Sequence, residues 1–81
     1  MQVKTLIEKA TNSTGSQAAL ARALGVTAPK LSNWKAGDLP CPIETQAEMC
    51  ELARLPEEEA KDHIWRAVLA LRRAKKTSRN S

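Results

Sequence analysis

Residue types on which most active sites depend are scarce in this chain. Among 81 residues there is no tyrosine, a single histidine and only three glycines. The glycines form no phosphate-binding loop, and no nucleophile stands in a recognisable pattern with a general base. We therefore expect no enzymatic activity, no cofactor and no small-molecule ligand.

Long apolar runs and paired metal-ligand spacings are also missing. No stretch approaches the roughly 20 apolar residues of a transmembrane helix, and the N-terminus lacks the basic-then-apolar pattern of a secretory signal. We therefore expect a soluble, cytoplasmic protein with no membrane partner. Cys41 and Cys50 are the only cysteines, and one histidine cannot complete a zinc set. We interpret both as small apolar fillers, with no disulfide and no metal.

Charge is unevenly distributed along a chain that is long enough for one domain and has no room for a separate effector domain. Residues 1–37 carry a net charge of +4, residues 38–71 carry −5, and residues 72–81 carry +5. A cationic first half followed by an anionic segment is typical of a protein that presents one face to phosphates.

The most informative segment runs from Gln17 to Gly37 and predicts two helices joined by a sharp turn. Ser16 and Thr27 are suitable N-caps, because their hydroxyls can accept hydrogen bonds from unpaired backbone N–H groups. Gly25 lies where a left-handed conformation can end the first helix. The residues expected to face inward are Leu20, Ala21, Leu24, Leu31 and Trp34. This spacing predicts a helix-turn-helix.

The same segment resembles the helix-turn-helix of the Cro and lambda-type repressor superfamily, also called XRE-like. The residues that carry the resemblance are Gln17, Ala21, Leu24, Gly25, Val26, Leu31, Ser32, Asn33, Trp34 and Gly37. The resemblance implies an all-α fold, a compact bundle of about five helices. It also implies a bacterial or phage DNA-binding regulator, usually a dimer.

Three more helices are expected outside the motif. The first spans about Gln2 to Thr11, packs across the motif and ends in a polar loop over residues 12–15. A fourth begins near Pro42 and a fifth at Pro56. The face of the fourth helix is expected to comprise Ile43, Ala47, Cys50 and Ala53, widened by Leu52 and Leu55. His63, on the fifth helix, is expected to be partly exposed.

The fifth helix has more apolar surface than a bundle of this size requires. Its acidic first turn and basic last turns match the helix dipole. Two adjacent apolar stripes follow, and one of them can cover a second copy of the chain. The predicted homodimer interface comprises Ile64, Trp65, Val68 and Leu69. The alternative, that both stripes belong to the core, remains open.

Rotation by 100° per residue places one face of the second motif helix opposite Leu31 and Trp34, and we expect that face to enter the major groove. Geometry and resemblance together predict base-reading contacts from Ala28, Pro29, Lys30, Ser32 and Asn33. Asn33 alone can pair bidentately with an adenine edge. The predicted phosphate-binding residues, implied by the resemblance and by helix N-terminal geometry, are Ser16, Gln17, Arg22, Thr27 and Lys35.

These observations predict a transcriptional regulator, a repressor or Cro-like switch of phage or prophage type, that binds a double-stranded DNA operator through the helix over residues 27–36. The alternative is an antitoxin or another protein-interaction module that also binds its own operator. Residues 1–74 are expected to form the DNA-binding domain and residues 75–81 a basic, unstructured tail. That tail can contact the duplex or stay solvated.

Overall fold

The structure is a computed structural model that describes the backbone of residues 1–80 and the side chains of residues 1–74. Within that part the chain forms five helices and no strand. The helices are α1 (Val3–Thr14), α2 (Gln17–Leu24), α3 (Ala28–Ala36), α4 (Ile43–Leu52) and α5 (Glu57–Asn80). The predicted all-α bundle of about five helices is confirmed. The division at residue 74 stays a prediction: the α5 backbone continues to Asn80, but the tail's side chains and Ser81 lie outside the described residues.

The turn between α2 and α3 has the local chemistry that its sequence predicts. The Ser16 hydroxyl accepts a hydrogen bond from the Ala19 N–H at 3.0 Å, and the Thr27 hydroxyl accepts one from the Lys30 N–H at 3.3 Å. Gly25 ends α2 at a φ of 71°, in the left-handed region that glycine adopts without a Cβ clash. Both predicted N-caps and the glycine turn are confirmed.

α1 is longer than its sequence suggests. The polar residues expected to form a loop instead continue the helix as far as Thr14, and Gly15 terminates it. Hydroxyl groups make this possible, because Thr11 donates to the Ile7 carbonyl at 2.7 Å and Thr14 to the Ala10 carbonyl at 2.9 Å. Such bonds satisfy threonine side chains within a helix. The predicted loop over residues 12–15 was therefore wrong.

The core lies where α1 crosses the helix-turn-helix and α4. Each of these four helices contributes buried side chains, and together they are Leu6, Ile7, Ala10, Leu20, Ala21, Leu31, Trp34, Met49 and Cys50. The expected packing of the first helix across the motif is confirmed. α3 is therefore held through its inward side by a continuous apolar cluster.

The face predicted for α4 meets the core for the most part, since Cys50 is buried and Leu52, Ala53 and Leu55 pack against the core. Ala47 was expected inside but is exposed, whereas Met49 is fully buried and Gln46 is only 6% exposed. Gln46 can lie inside because its amide is satisfied, donating to the Cys41 carbonyl at 2.9 Å. The burial of Gln46 was not predicted, because apolar periodicity carries no sign of this bond.

His63 corrects a second expectation, because it is buried and not partly exposed. Its Nδ1 lies 3.1 Å from the Met1 carbonyl and its Nε2 lies 2.7 Å from Gln46 Oε1. Burial lowers the pKa of His63, against the bond to Met1 and the charge of Asp62, which raise it. The histidine thereby fastens α5 to α4 and to the chain's first residue.

A short connection leads from α4 into α5. Arg54 has a φ of 56°, and among the described residues it is the one non-glycine with a positive value. The next N–H, of Leu55, donates to the Cys50 carbonyl at 3.2 Å, which closes the end of α4. Pro56 then precedes α5, whose first turn carries Glu57, Glu58 and Glu59 as expected.

Candidate nucleic-acid interface

α3 presents opposite faces to the core and to solvent. Leu31 is fully buried and Trp34 is 4% exposed, so they anchor the inner face. The outer face comprises Ala28, Pro29, Ser32 and Ala36, all exposed, with Asn33 half-buried beside them. The predicted reading face is therefore accessible to a large partner. Its width is that of a single helix, which a B-DNA major groove admits.

Asn33 combines a fixed backbone with an unengaged side chain. Its carbonyl accepts a hydrogen bond from the Asp38 N–H at 3.0 Å, which secures the last turn of α3. Its side-chain amide has no hydrogen-bond partner among the described residues. An amide held at this position on a rigid helix can both donate to and accept from one adenine edge.

Gln17 connects the two helices of the motif at the outer face. Its Nε2 donates to the Ser32 hydroxyl at 3.1 Å. This contact places the N-terminus of α2 beside the exposed face of α3. Free N–H groups in the first turn of a helix, together with the dipole, favour an anion there. The sequence named both residues but not their bond to each other, and neither periodicity nor capping gives a signal for it.

The cations of the motif differ in how far they are already engaged. The Lys30 ammonium lies 5.6 Å from the centre of the Trp34 ring, four residues along the same helix. Helical spacing could have indicated this pair. Reaching a base or phosphate would take Lys30 away from a contact worth about 0.5–1 kcal/mol. Arg22 is exposed and Lys35 half-buried, and neither forms an ion pair within the described residues.

Every charged side chain of the motif is basic. Between Ser16 and Gly37 there are three basic side chains and no acidic one. Of the acidic side chains in the following segment, Asp38 directly follows the motif at the end of α3, and the others lie on α4 and α5. Within the described residues α5 packs against α4 and not against the motif. A positive surface next to an accessible helix attracts a polyanion and places it at the reading face.

Outside the motif, the predicted dimer residues divide between core and surface. Ile64 packs against the core, Val68 and Leu69 are half-buried, and Trp65 is exposed. The expected second apolar stripe thus reaches solvent at Trp65. None of the helices in the described part of the chain has both the length and the apolar character that a membrane crossing requires.

Neither cysteine has the properties of a metal ligand or of a readily oxidised thiol. Both are free thiols. Burial raises the pKa of Cys41 to about 11, and burial followed by the charge of Glu59 raises the pKa of Cys50. Thiols protonated at neutral pH are poor nucleophiles and poor metal ligands. Across the residues with described side chains, no three histidine, cysteine or acidic residues come together as a metal site.

The capped helices, the glycine turn and the buried inner face of α3 define a small helix-turn-helix protein. The family described as Bacterial toxin YdaS matches residues 7–54, which is 48 of the 81 residues and extends from α1 to the end of α4. The chain belongs to this family. No curated protein and no solved structure matches it. Membership of the Cro and lambda-type superfamily in particular stays a prediction.

Proposed function

We propose that the protein is a sequence-specific double-stranded DNA-binding regulator that inserts α3 into the major groove. One observation carries the proposal: the Gln17–Ser32 bond sets the N-terminus of α2 beside the exposed face of α3. α3 in the groove and the N-terminus of α2 at the flanking phosphates then form one continuous DNA-binding surface. Such a role places the protein in the bacterial cytoplasm, as a repressor or a Cro-like switch of phage type.

Roles within this surface follow from what each side chain already contacts. Asn33 is the hydrogen-bonding base reader, since its amide is unengaged, and Ala28 and Pro29 offer apolar contact to a thymine methyl. Ser32, held by Gln17, retains its O–H as a donor. Phosphates are bound by the N–H groups that follow Ser16, by the N-terminal turn after Thr27, and by the charges of the basic residues Arg22, Lys30 and Lys35.

The test is a binding-site selection from bacterial genomic fragments, followed by gel-shift titrations over a range of salt concentrations. We expect a preferred sequence and a linear fall of the logarithm of affinity with the logarithm of salt. Lys35→Ala should reduce that slope by about one unit. Lys9→Ala is the matched control, because the Lys9 ammonium lies 3.3 Å from Glu59 on the α5 side of the molecule.

Two results would oppose the proposal. One is the absence of any shifted complex even in dilute buffer, and the other is binding with no sequence preference after selection. Equal salt slopes for wild type and Lys35→Ala would remove only Lys35 from the phosphate contacts. On a preferred fragment, two copies should protect two patches on one side of the duplex, about 34 Å apart.

A second candidate role is membership of a toxin–antitoxin pair, which the family description favours. Controlled expression in bacteria tests it, with growth as the readout. If the wild type arrests growth and the double variant Asn33→Ala, Lys35→Ala does not, toxicity acts through the DNA-reading surface. If both arrest growth equally, a different surface is responsible, and co-purification with another chain would identify its partner.

A further inference from the structure

α5 is much longer than the helix on which it packs. At 1.5 Å per residue its 24 residues span about 36 Å, whereas the 10 residues of α4, its packing partner within the described residues, span about 15 Å. Trp65 is 56% exposed and Leu71 is 46% exposed, the two highest values for large apolar residues among the described side chains. The second half of α5 therefore carries apolar surface that the described part of the chain does not cover.

The apolar side chains of this second half share one side of the helix. A rotation of 100° per residue places them on an arc of about 160°, which holds, in order around the helix, Leu71, Val68, Trp65 and Leu69. Val68 and Leu69, between and beside the two exposed residues, are half-buried. A contiguous apolar arc on an incompletely covered helix is typical of a surface that binds an apolar partner.

Charge changes sign along α5. Its first six residues include four acidic side chains, Glu57, Glu58, Glu59 and Asp62, whereas no acidic residue follows Asp62 anywhere in the sequence. Six basic residues follow instead, namely Arg66, Arg72, Arg73, Lys75, Lys76 and Arg79. The three arginines whose side chains are described as far as residue 74 are all exposed. The apolar arc thus lies on the cationic half of the helix.

From this combination we infer that the second half of α5 lies on the surface of an anionic lipid membrane, with Trp65 at the boundary between headgroups and acyl chains. Cationic helices with tryptophan and leucine on one side bind membranes in this way without spanning them. Arg72, within the apolar arc one turn after Val68, can bury its aliphatic part and keep its guanidinium at a phosphate. At the acidic end of α5, Glu59 pairs with Lys9 of α1 at 3.3 Å, which holds that end against the bundle.

The apolar arc and the basic charge together favour lipid over other partners. A nucleic acid would engage the arginines but not the aliphatic residues of the arc, because Trp65 is the one aromatic residue of α5 available for stacking. A membrane satisfies both, since anionic headgroups cover an apolar interior. The inference revises the expectation of no membrane partner, which rested on the lack of a segment able to cross a membrane. It requires no DNA, so it can hold or fail independently of the proposed function.

Tryptophan fluorescence of the full chain, without DNA, tests the contact. Trp34 is only 4% exposed, so a change in emission on addition of vesicles reports Trp65, the other tryptophan of the chain. Vesicles of equal parts phosphatidylglycerol and phosphatidylcholine should shift the emission to shorter wavelength and protect Trp65 from acrylamide, whereas phosphatidylcholine alone should do neither. Trp65→Ala should abolish the response.

Three results of this experiment overturn the inference. The first is an unchanged emission with the anionic vesicles, and the second is an equal change with both kinds of vesicle. The third is protection of Trp65 without vesicles, either with rising protein concentration or with added single-stranded DNA, since a second copy or a nucleic acid would then be the partner.

Cosedimentation with the anionic vesicles measures how strongly each variant binds. Leu71→Ala should lower the partition constant by about tenfold, because lipid buries the exposed part of a side chain that alanine lacks. Leu39→Ala is its matched control, since Leu39 is 45% exposed and lies outside α5. Arg72→Gln should lower the constant by about fivefold, as expected for one basic residue at an anionic surface. Lys4→Gln removes the same charge from an exposed position of α1 and should leave it unchanged. Equal effects of each variant and its control refute α5 as the lipid-binding helix.

Discussion

Replacement of Asn33 by alanine should separate DNA reading from stability, because the two effects have opposite signs. The Asn33 side chain has no hydrogen-bond partner among the described residues, and its backbone carbonyl bond to Asp38 survives the change. Alanine exceeds asparagine in helix propensity by roughly 0.5 kcal/mol. The free energy of unfolding should therefore rise slightly, by an amount equivalent to about 2–4 °C in melting temperature.

On DNA the same substitution should reduce sequence discrimination at only one base pair of each half-site. Loss of a bidentate contact to adenine removes about 1–3 kcal/mol of discrimination, or about five- to 150-fold in preference at one base pair per half-site. Competition binding against single-base variants of the selected sequence measures it. Asn12→Ala, an identical change at an exposed position of α1, should leave the preference intact. An unchanged preference with Asn33→Ala would refute the assignment of Asn33 as the reader.

Three other changes test the packing and the electrostatics of the bundle. Arg54→Gly should raise the free energy of unfolding by about 0.5–1 kcal/mol in chemical denaturation, because a φ of 56° disfavours any side chain. Ala21→Leu, at a buried position of α2, should lower it by about 1–3 kcal/mol, whereas Ala18→Leu on the exposed side should not. Because burial lowers the pKa of His63 below the 6.5 of an unperturbed side chain, protonation favours the unfolded chain. Stability should therefore fall as the pH drops through 6.5 toward the lower pKa of the folded state, and His63→Gln should reduce that fall.

The helix-turn-helix was predictable because its determinants are local. Ser16, Gly25 and Thr27 act within four residues of their own positions, so their spacing carries the whole signal. The exposed face of α3 followed from the same periodicity once Leu31 and Trp34 were recognised as the inner face. The end of α1 was misjudged because polar residues that favour loops can also bond back to the preceding helical turn.

The long-range polar contacts were not predicted, for a different reason. Gln46 and His63 are 17 residues apart, and each is a residue type that sequence patterns assign to the surface. Their burial becomes favourable only when each satisfies the other, which no local pattern records. The bond from Gln17 to Ser32 joins a half-buried and an exposed polar side chain 15 residues apart, so hydrophobic periodicity carries no sign of it.

By itself the sequence determined the number of helices, the positions of the caps and turns, and the separation of basic from acidic segments. These depend on neighbours along the chain, where one residue's chemistry acts on the next turn. Tertiary structure alone decided that Gln46 and His63 lie inside, and that the start of α2 meets the middle of α3. Those outcomes follow from pairs of polar groups that lower their free energy only when the folded chain brings them together.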